Sequence, residues 1–429
     1  MDAPRRFTFP PEIRDMIVDI LGGANENFTM RILAQTHSSF LPRCRYYLFS
    51  VLDLVPCGAC RSNLDVVAFP HCQKKLENIA NLFKNSPHLA IYVRRFTYWL
   101  PSHLAYDSGH LLIILGSLPR VQILELNSEH TISLPNMLVD RTSWPALPPT
   151  IRVGLEKALR SPSLVKLVIN FTSDFPLNVL ATCQNLSYLD LNHVRFRDII
   201  DSDEKRMILR GPSLRLQTLK SFSSFPAIRT LTSSKFVEAG IIDLTHLTAL
   251  SILDRDGRAL RATATTLLKF SKCVGTLHYL VLDARLNHFC DILTSGVLKT
   301  LKVLKATIPF KQETPFQDPL LDLTDEIEKW GGKNALERID IIVYIQKNMR
   351  VTLHSGSWKK LNNLETTQWF PFLKRVSLTI VFTSPSAQYI EVLEKDQATV
   401  FEKLRVSRKI VFKFKAETRN IPRLDSLVA

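Results

Sequence analysis

Leu186-Ser187-Tyr188-Leu189-Asp190-Leu191 and Leu277-His278-Tyr279-Leu280-Val281-Leu282 share one pattern: apolar, two variable residues, apolar, one variable residue, apolar. The same spacing recurs at Val121, Leu124, Leu126; at Leu164, Leu167, Ile169; and at Leu247, Leu250, Ile252. Weaker copies stand at Leu301, Leu304, Ala306; at Leu336, Ile339, Ile341; and at Leu373, Val376, Leu378, with a degenerate one at Leu216, Leu219, Ser221. Successive copies start between 22 and 43 residues apart. The last two apolar positions alternate with a variable residue, which is the period of a strand with one buried face. Helical stretches precede the copies, among them Val153–Arg160, Leu177–Cys183, Thr265–Phe270 and Leu323–Trp330, joined to the strands by turns such as Ser161-Pro162-Ser163.

A single strand and helix cannot bury an apolar face alone, so such units must stack, with parallel strands on one side and helices on the other. Parallel pairing needs a helix-length crossover, and these steps supply one. The pattern resembles a leucine-rich-repeat solenoid of the long, irregular kind. An ordinary doubly wound α/β domain also alternates strand and helix, but no Gly-rich phosphate loop follows any strand here. The expected class is therefore α/β: a short all-helical module followed by an irregular strand–helix solenoid. The expected organisation is a helical module over 1–54, a bridging segment over 55–100, and a solenoid over 101–429. Prolines 135, 145, 148 and 149 mark an insertion at about 127–152.

The 429 residues carry 55 Lys plus Arg against 40 Asp plus Glu, a formal net charge of +15. That excess permits an acidic partner or nucleic acid, although the charge is spread along the chain rather than blocked. It is densest at the end. In Arg408–Lys415, Ile410, Phe412 and Phe414 alternate with Val411, Lys413 and Lys415. This reads as a strand, either an edge protected by lysines or a ligand-facing basic strip. No apolar run approaches the roughly 18 residues of a membrane span. The N-terminus has no secretory h-region, and seven cysteines do not form a disulfide framework. A cytoplasmic or nuclear setting without membrane association is expected.

Catalytic and phosphate-binding motifs are missing: no G-x-S-x-G, Walker sequence, H-E-x-x-H or dinucleotide fingerprint is present. Neither enzymatic activity nor a cofactor is expected. The one metal-like cluster is Cys57-Gly-Ala-Cys60 with His71-Cys72. The first pair has zinc-knuckle spacing, but the adjacent second pair suits joint ligation poorly, so a turn with buried thiols is the preferred reading.

The first fifty residues differ from the repeats. Phe9-Pro10-Pro11-Glu12-Ile13 opens a helix: proline suits the first turn, and Glu12 faces the positive end of the helix dipole. Ile13, Ile17, Ile20 and Leu21 follow at helical spacing, and Gly22-Gly23 ends the run. A second helix is expected over Thr29–Phe40 and a third through Leu41-Pro-Arg-Cys-Arg-Tyr-Tyr-Leu-Phe49, leading into a strand at 50–54.

These residues resemble an F-box, and more narrowly the large F-box family of mushroom-forming fungi. That family also has the phrase Ser86-Pro-His-Leu-Ala-Ile-Tyr-Val-Arg-Arg-Phe-Thr97 before irregular leucine-rich repeats. Phe9 stands where the family usually has Leu, and Phe40 where it has Trp. Gln35 and Thr36 replace an apolar pair, and His37 a small or apolar residue; they either weaken adaptor contact or face solvent. The resemblance implies a substrate-recognition subunit of an SCF-type cullin-RING ubiquitin ligase. Adaptor contacts to a Skp-type protein, and through it a cullin, would come from Phe9, Pro10, Ile13, Ile17, Leu21, Phe40, Leu48 and Phe49. A substrate, acidic or phosphorylated given the charge, would meet polar residues that follow the strands: Asn192, His193, Arg195, Asp254 and Arg255. A non-ligase interaction scaffold with a degenerate box is the alternative, and a nucleic-acid-binding solenoid a weaker third.

Overall fold

The computed structural model describes residues 10–24, 26–54, 69–100, 108–128, 142–197, 213–231, 242–253, 276–283, 295–310, 334–345, 356–365, 370–382 and 387–418, with a few single positions between 320 and 353. The chain forms two compact units, one drawing on residues up to Asn170 and one on residues from Phe171.

The first unit begins with three helices: α1 (Pro11–Gly23), α2 (Asn27–Thr36) and α3 (Leu41–Phe49). Pro11 and Pro42 each sit in the first turn, where a missing N–H costs no hydrogen bond. Strand β1 (Val51–Leu54) follows directly, then α4 (Phe69–Asn85), β2 (Arg95–Leu100), α5 (Ser108–Gly116), β3 (Ile123–Ser128), α6 (Pro149–Leu159) and β4 (Lys166–Asn170). The four strands pair parallel and in chain order. The bridging segment thus contributes a strand to the same ladder as the repeats. Within the expected Pro-rich insertion, Trp144 and Leu147 are buried and Pro149 opens α6.

Among the described residues the main sheet of the second unit has eight strands: β5 (Tyr188–Asn192), β6 (Thr218–Phe222), β7 (Ala249–Leu253), β8 (Tyr279–Asp283), β9 (Val303–Phe310), β10 (Arg338–Ile345), β11 (Arg375–Phe382) and β12 (Val411–Thr418). Each pairs parallel with the next in chain order. A parallel sheet with no strand out of sequence is the topology of a strand–helix repeat. The helical expectations are met by α6 and by α7 (Leu177–Ala181). Thr265–Phe270 lies outside the described residues, and Leu323–Trp330 is described only in part.

The repeat pattern explains the register. In every one of the nine copies the strand starts two residues after the first apolar position, and all three pattern positions are buried, Ser221 included. The second positions align across the sheet: Leu189, Leu219, Leu250, Leu280, Leu304, Ile339 and Val376 are successive partners, ending on Phe412. Each such side chain contributes roughly 1.5–3 kcal/mol by burial. A slip of one residue would turn the whole set outward, so burial fixes the register.

The backbone repeats the same lock. The carbonyl of Gln217 accepts N–H bonds from Thr248 and Ala249; that of Thr248 from His278 and Tyr279; that of His278 from Lys302 and Val303. Lys302 and Glu337 continue it, and in the first unit Ser50, Arg94 and Gln122 do the same. One residue per repeat, just before each strand, thus ties each unit's strands at a fixed offset.

Candidate functional site

Two surfaces expose side chains suited to recognition, and each belongs to its own unit. In the first unit, α1 turns Ile13, Met16 and Ile20 outward at spacings of three and four residues, 38%, 51% and 63% exposed. Phe28 and Ile32 of α2 are 75% and 47% exposed. The interior of these helices is small: Val18, Met30 and Cys44 are its buried residues. Three helices with this little core leave five large apolar side chains exposed on α1 and α2.

Polar contacts hold α1 to α3. Arg43 donates to both carboxylate oxygens of Asp19, at 2.7 and 2.9 Å, and the Tyr47 hydroxyl donates to Asp19 Oδ1 at 3.1 Å. The Arg43 hydrogen bond holds the Asp19 carboxyl below its ordinary range, against partial burial. Burial and then the bond to Asp19 push the Tyr47 phenol up. The Tyr47 ring packs close to Gly22, where a Cβ would come within 2.3 Å of it. Gly22 is therefore a packing contact as well as the end of the helix.

Of the residues expected to meet an adaptor, Pro10 and Ile13 are exposed; Ile17, Leu21, Phe40, Leu48 and Phe49 are half-buried; Phe9 lies outside the described residues. Met16, Phe28 and Ile32, absent from that set, are among the most exposed apolar side chains. Met16 and Ile32 were legible as helical spacing, and Phe28 as an aromatic beside a polar turn. Gln35, Thr36 and His37 are exposed.

In the second unit the strand faces turned away from the buried ladder form a mixed polar surface. Lys220 sits 5.4 Å over the Tyr188 ring, and its ammonium pKa is raised by a hydrogen bond to the Tyr188 hydroxyl. Arg338 pairs with Asp340 at 2.7 Å, and Arg375 is the register partner of Arg338 on the next strand. Lys415 pairs with Glu417. Both signs are therefore interspersed on this face. Just below it Glu337 lies between Lys374 at 2.8 Å and Lys302 at 3.7 Å, and the Lys374 contact holds its carboxyl low.

The structure separates the residues expected to meet a substrate. His193 is buried, with φ +53°, stacked on Phe171 at 4.9 Å and edge-on to Phe222 at 5.4 Å. Its N–H bonds to the Phe222 carbonyl. Phe171 and Ser223 close β4 and β6 with the same left-handed backbone and the same bond to the next strand's last carbonyl. The His193 ring is thus part of a repeated corner. Asn192 beside it is half-buried and Arg195 is exposed, while Asp254 and Arg255 lie outside the described residues.

Cys57 and Cys60 also lie outside the described residues, as do the side chains of His71 and Cys72 in α4. Among the described residues no three His, Cys, Asp or Glu side chains group as metal ligands, and no helix is long and apolar enough to cross a membrane. Cys44 and Cys183 are buried thiols, and burial pushes the Cys44 thiol up, away from thiolate chemistry.

No family model and no curated protein matches the chain. Among solved structures, a TLR13–ssRNA13 complex is similar over 80% of this chain at 13% identity and a TM-score of 0.23. The chain covers 63% of that protein's length. The repeat architecture rests on this chain's own strand order and register.

Proposed function

We propose that this chain is a non-catalytic recognition subunit of an SCF-type ubiquitin ligase: α1–α3 dock on a Skp-type adaptor, and the strand faces of the repeats hold a substrate protein. The supporting observation is the apolar face of Ile13, Met16, Ile20, Phe28 and Ile32 on helices whose own core is three buried side chains. These side chains are 38–75% exposed, so covering them yields about half of the roughly 1.5–3 kcal/mol of full burial apiece, a sum that reaches the lower part of the 4–15 kcal/mol or so that association costs. The mixed-charge strand faces suit a partner with a defined charge pattern, an acidic or phosphorylated segment among them.

Co-purification with the host's Skp-type adaptor tests this. Stoichiometric recovery is expected, and it should be lost in an Ile13→Asp, Ile20→Asp variant. Both positions are exposed, so that variant keeps its fold. Failure of the unaltered, folded chain to capture the adaptor would sink the ligase reading. It would instead favour a free-standing binding scaffold, the reading to which the polar Gln35-Thr36-His37 end of α2 is best suited.

A further inference from the structure

The last described strand has an open edge. β12 runs eight residues, Val411–Thr418, and pairs with β11 on one side; among the described residues nothing pairs with the other. The Val411 N–H donates to the Lys374 carbonyl at 2.8 Å. Backbone groups alternate sides along a strand, so the N–H and C=O of Phe412, Phe414 and Ala416 point outward. Side chains alternate in the other direction. Phe412 and Phe414 turn inward toward the Phe401 ring, at 5.0 and 6.3 Å, and both stay half-buried. Val411, Lys413 and Lys415 face outward and are exposed.

The flanks of this edge are basic and apolar. Arg405, Arg408 and Lys409 precede it, and Val406 and Val411 are 71% and 58% exposed. Lys415 already holds Glu417, whereas Lys413 has no anionic partner among the described residues. Charge decides between occupants. A second copy of this edge would set lysines against lysines, and like charges directly opposite destabilise a strand pair. An acidic strand would set carboxylates against them.

We propose that the outer edge of β12 binds an extended acidic segment of another protein by strand addition. Its backbone pairs with Phe412, Phe414 and Ala416; a carboxylate on one of its faces meets Lys413, beside the Lys415–Glu417 pair, and apolar residues on the other continue the layer of Phe412 and Phe414. The ligand is therefore a segment alternating acidic and apolar residues. This surface lies apart in sequence from α1–α3, and it stands or falls independently of adaptor binding.

The probe is a fluorescein-labelled peptide alternating Glu with Val and Ile, beside the same peptide N-methylated at alternate amides, titrated into the full chain. N-methylation keeps the charge and removes the edge hydrogen bonds. Binding is expected for the plain peptide and about tenfold weaker for the N-methylated one. A Lys413→Glu variant should also bind about tenfold more weakly. In hydrogen exchange, the amides of Phe412, Phe414 and Ala416 should exchange fast in the free chain and slow on binding, while those of Lys413 and Lys415 stay protected throughout. Equal affinity for the two peptides, no binding, or edge amides already protected in the free chain would each overturn the proposal.

Discussion

His193 shows how a residue of reactive type is diverted by its backbone. Left-handed φ costs an L-residue about 1–2 kcal/mol, and glycine nothing. The ring recovers part of this by stacking on Phe171 and meeting Phe222 edge-on, roughly 0.5–1.5 kcal/mol beyond its burial. Both His193→Ala and His193→Gly should therefore destabilise the second unit. The glycine variant should be the milder by about 1 kcal/mol, read as the higher melting temperature. If alanine proves the milder, the corner is not strained. Asp19 acts at the same scale in the first unit. Its carboxyl is held below its ordinary value near 3.8, so the Arg43 and Tyr47 contacts stabilise the folded state fully above that value. This stability is lost as pH falls through the lowered pKa. Helix content over α1–α3 should thus fall as acid carries the pH below 3.8, and Arg43→Met should flatten that part of the profile.

At the scale of elements, two helical glycines differ. A Cβ at Gly22 meets the Tyr47 ring at 2.3 Å, an aromatic that Asp19 holds through its hydroxyl. A Cβ at Gly154 in α6 meets the tips of Leu112 and Leu115 at 2.8 and 3.0 Å, flexible ends that can rotate away. Gly22→Ala should cost about 1–3 kcal/mol through overpacking and loosen α1 from α3. Gly154→Ala should stay near neutral, because the better helix propensity of alanine, roughly 1 kcal/mol, offsets the shift of Leu112. Thermal melts of the two variants check this ordering. On α1, Ile13, Met16 and Ile20 stay 38–63% exposed, the face on which the proposed association rests.

Across the molecule, the aligned second positions from Leu189 to Phe412 and the one-per-repeat carbonyl lock share one physical cause. A parallel strand buried on one face has a single register that keeps its apolar set inside. The variable positions between them carry the charge mosaic of Lys220, Asp340 and Arg375. The ladder ends at β12 without a described cap, and that edge is where the basic C-terminal sequence becomes a shaped surface.

Much of the fold was legible in the sequence because its information is local and periodic. The apolar spacing alone located all nine repeat strands from Ile123 to Phe382 and the face each one buries. Proline marked the start of α1, since the first helical turn tolerates a missing N–H, whereas Pro149, read as part of an insertion, opens α6. The alternation in Arg408–Lys415 gave a strand before any partner was known. Tertiary structure decided what spacing leaves open. It drew Arg95–Leu100 into the ladder through pairing with β1 and β3, a non-local match that no local pattern carries. It buried His193 by a corner whose left-handed φ goes with an N–H bond to the carbonyl of Phe222, 29 residues away along the chain. On the helices, spacing showed which residues share a side but not which side is covered. That depends on where α2 and α3 pack, and it left Met16, Ile20, Phe28 and Ile32 facing outward.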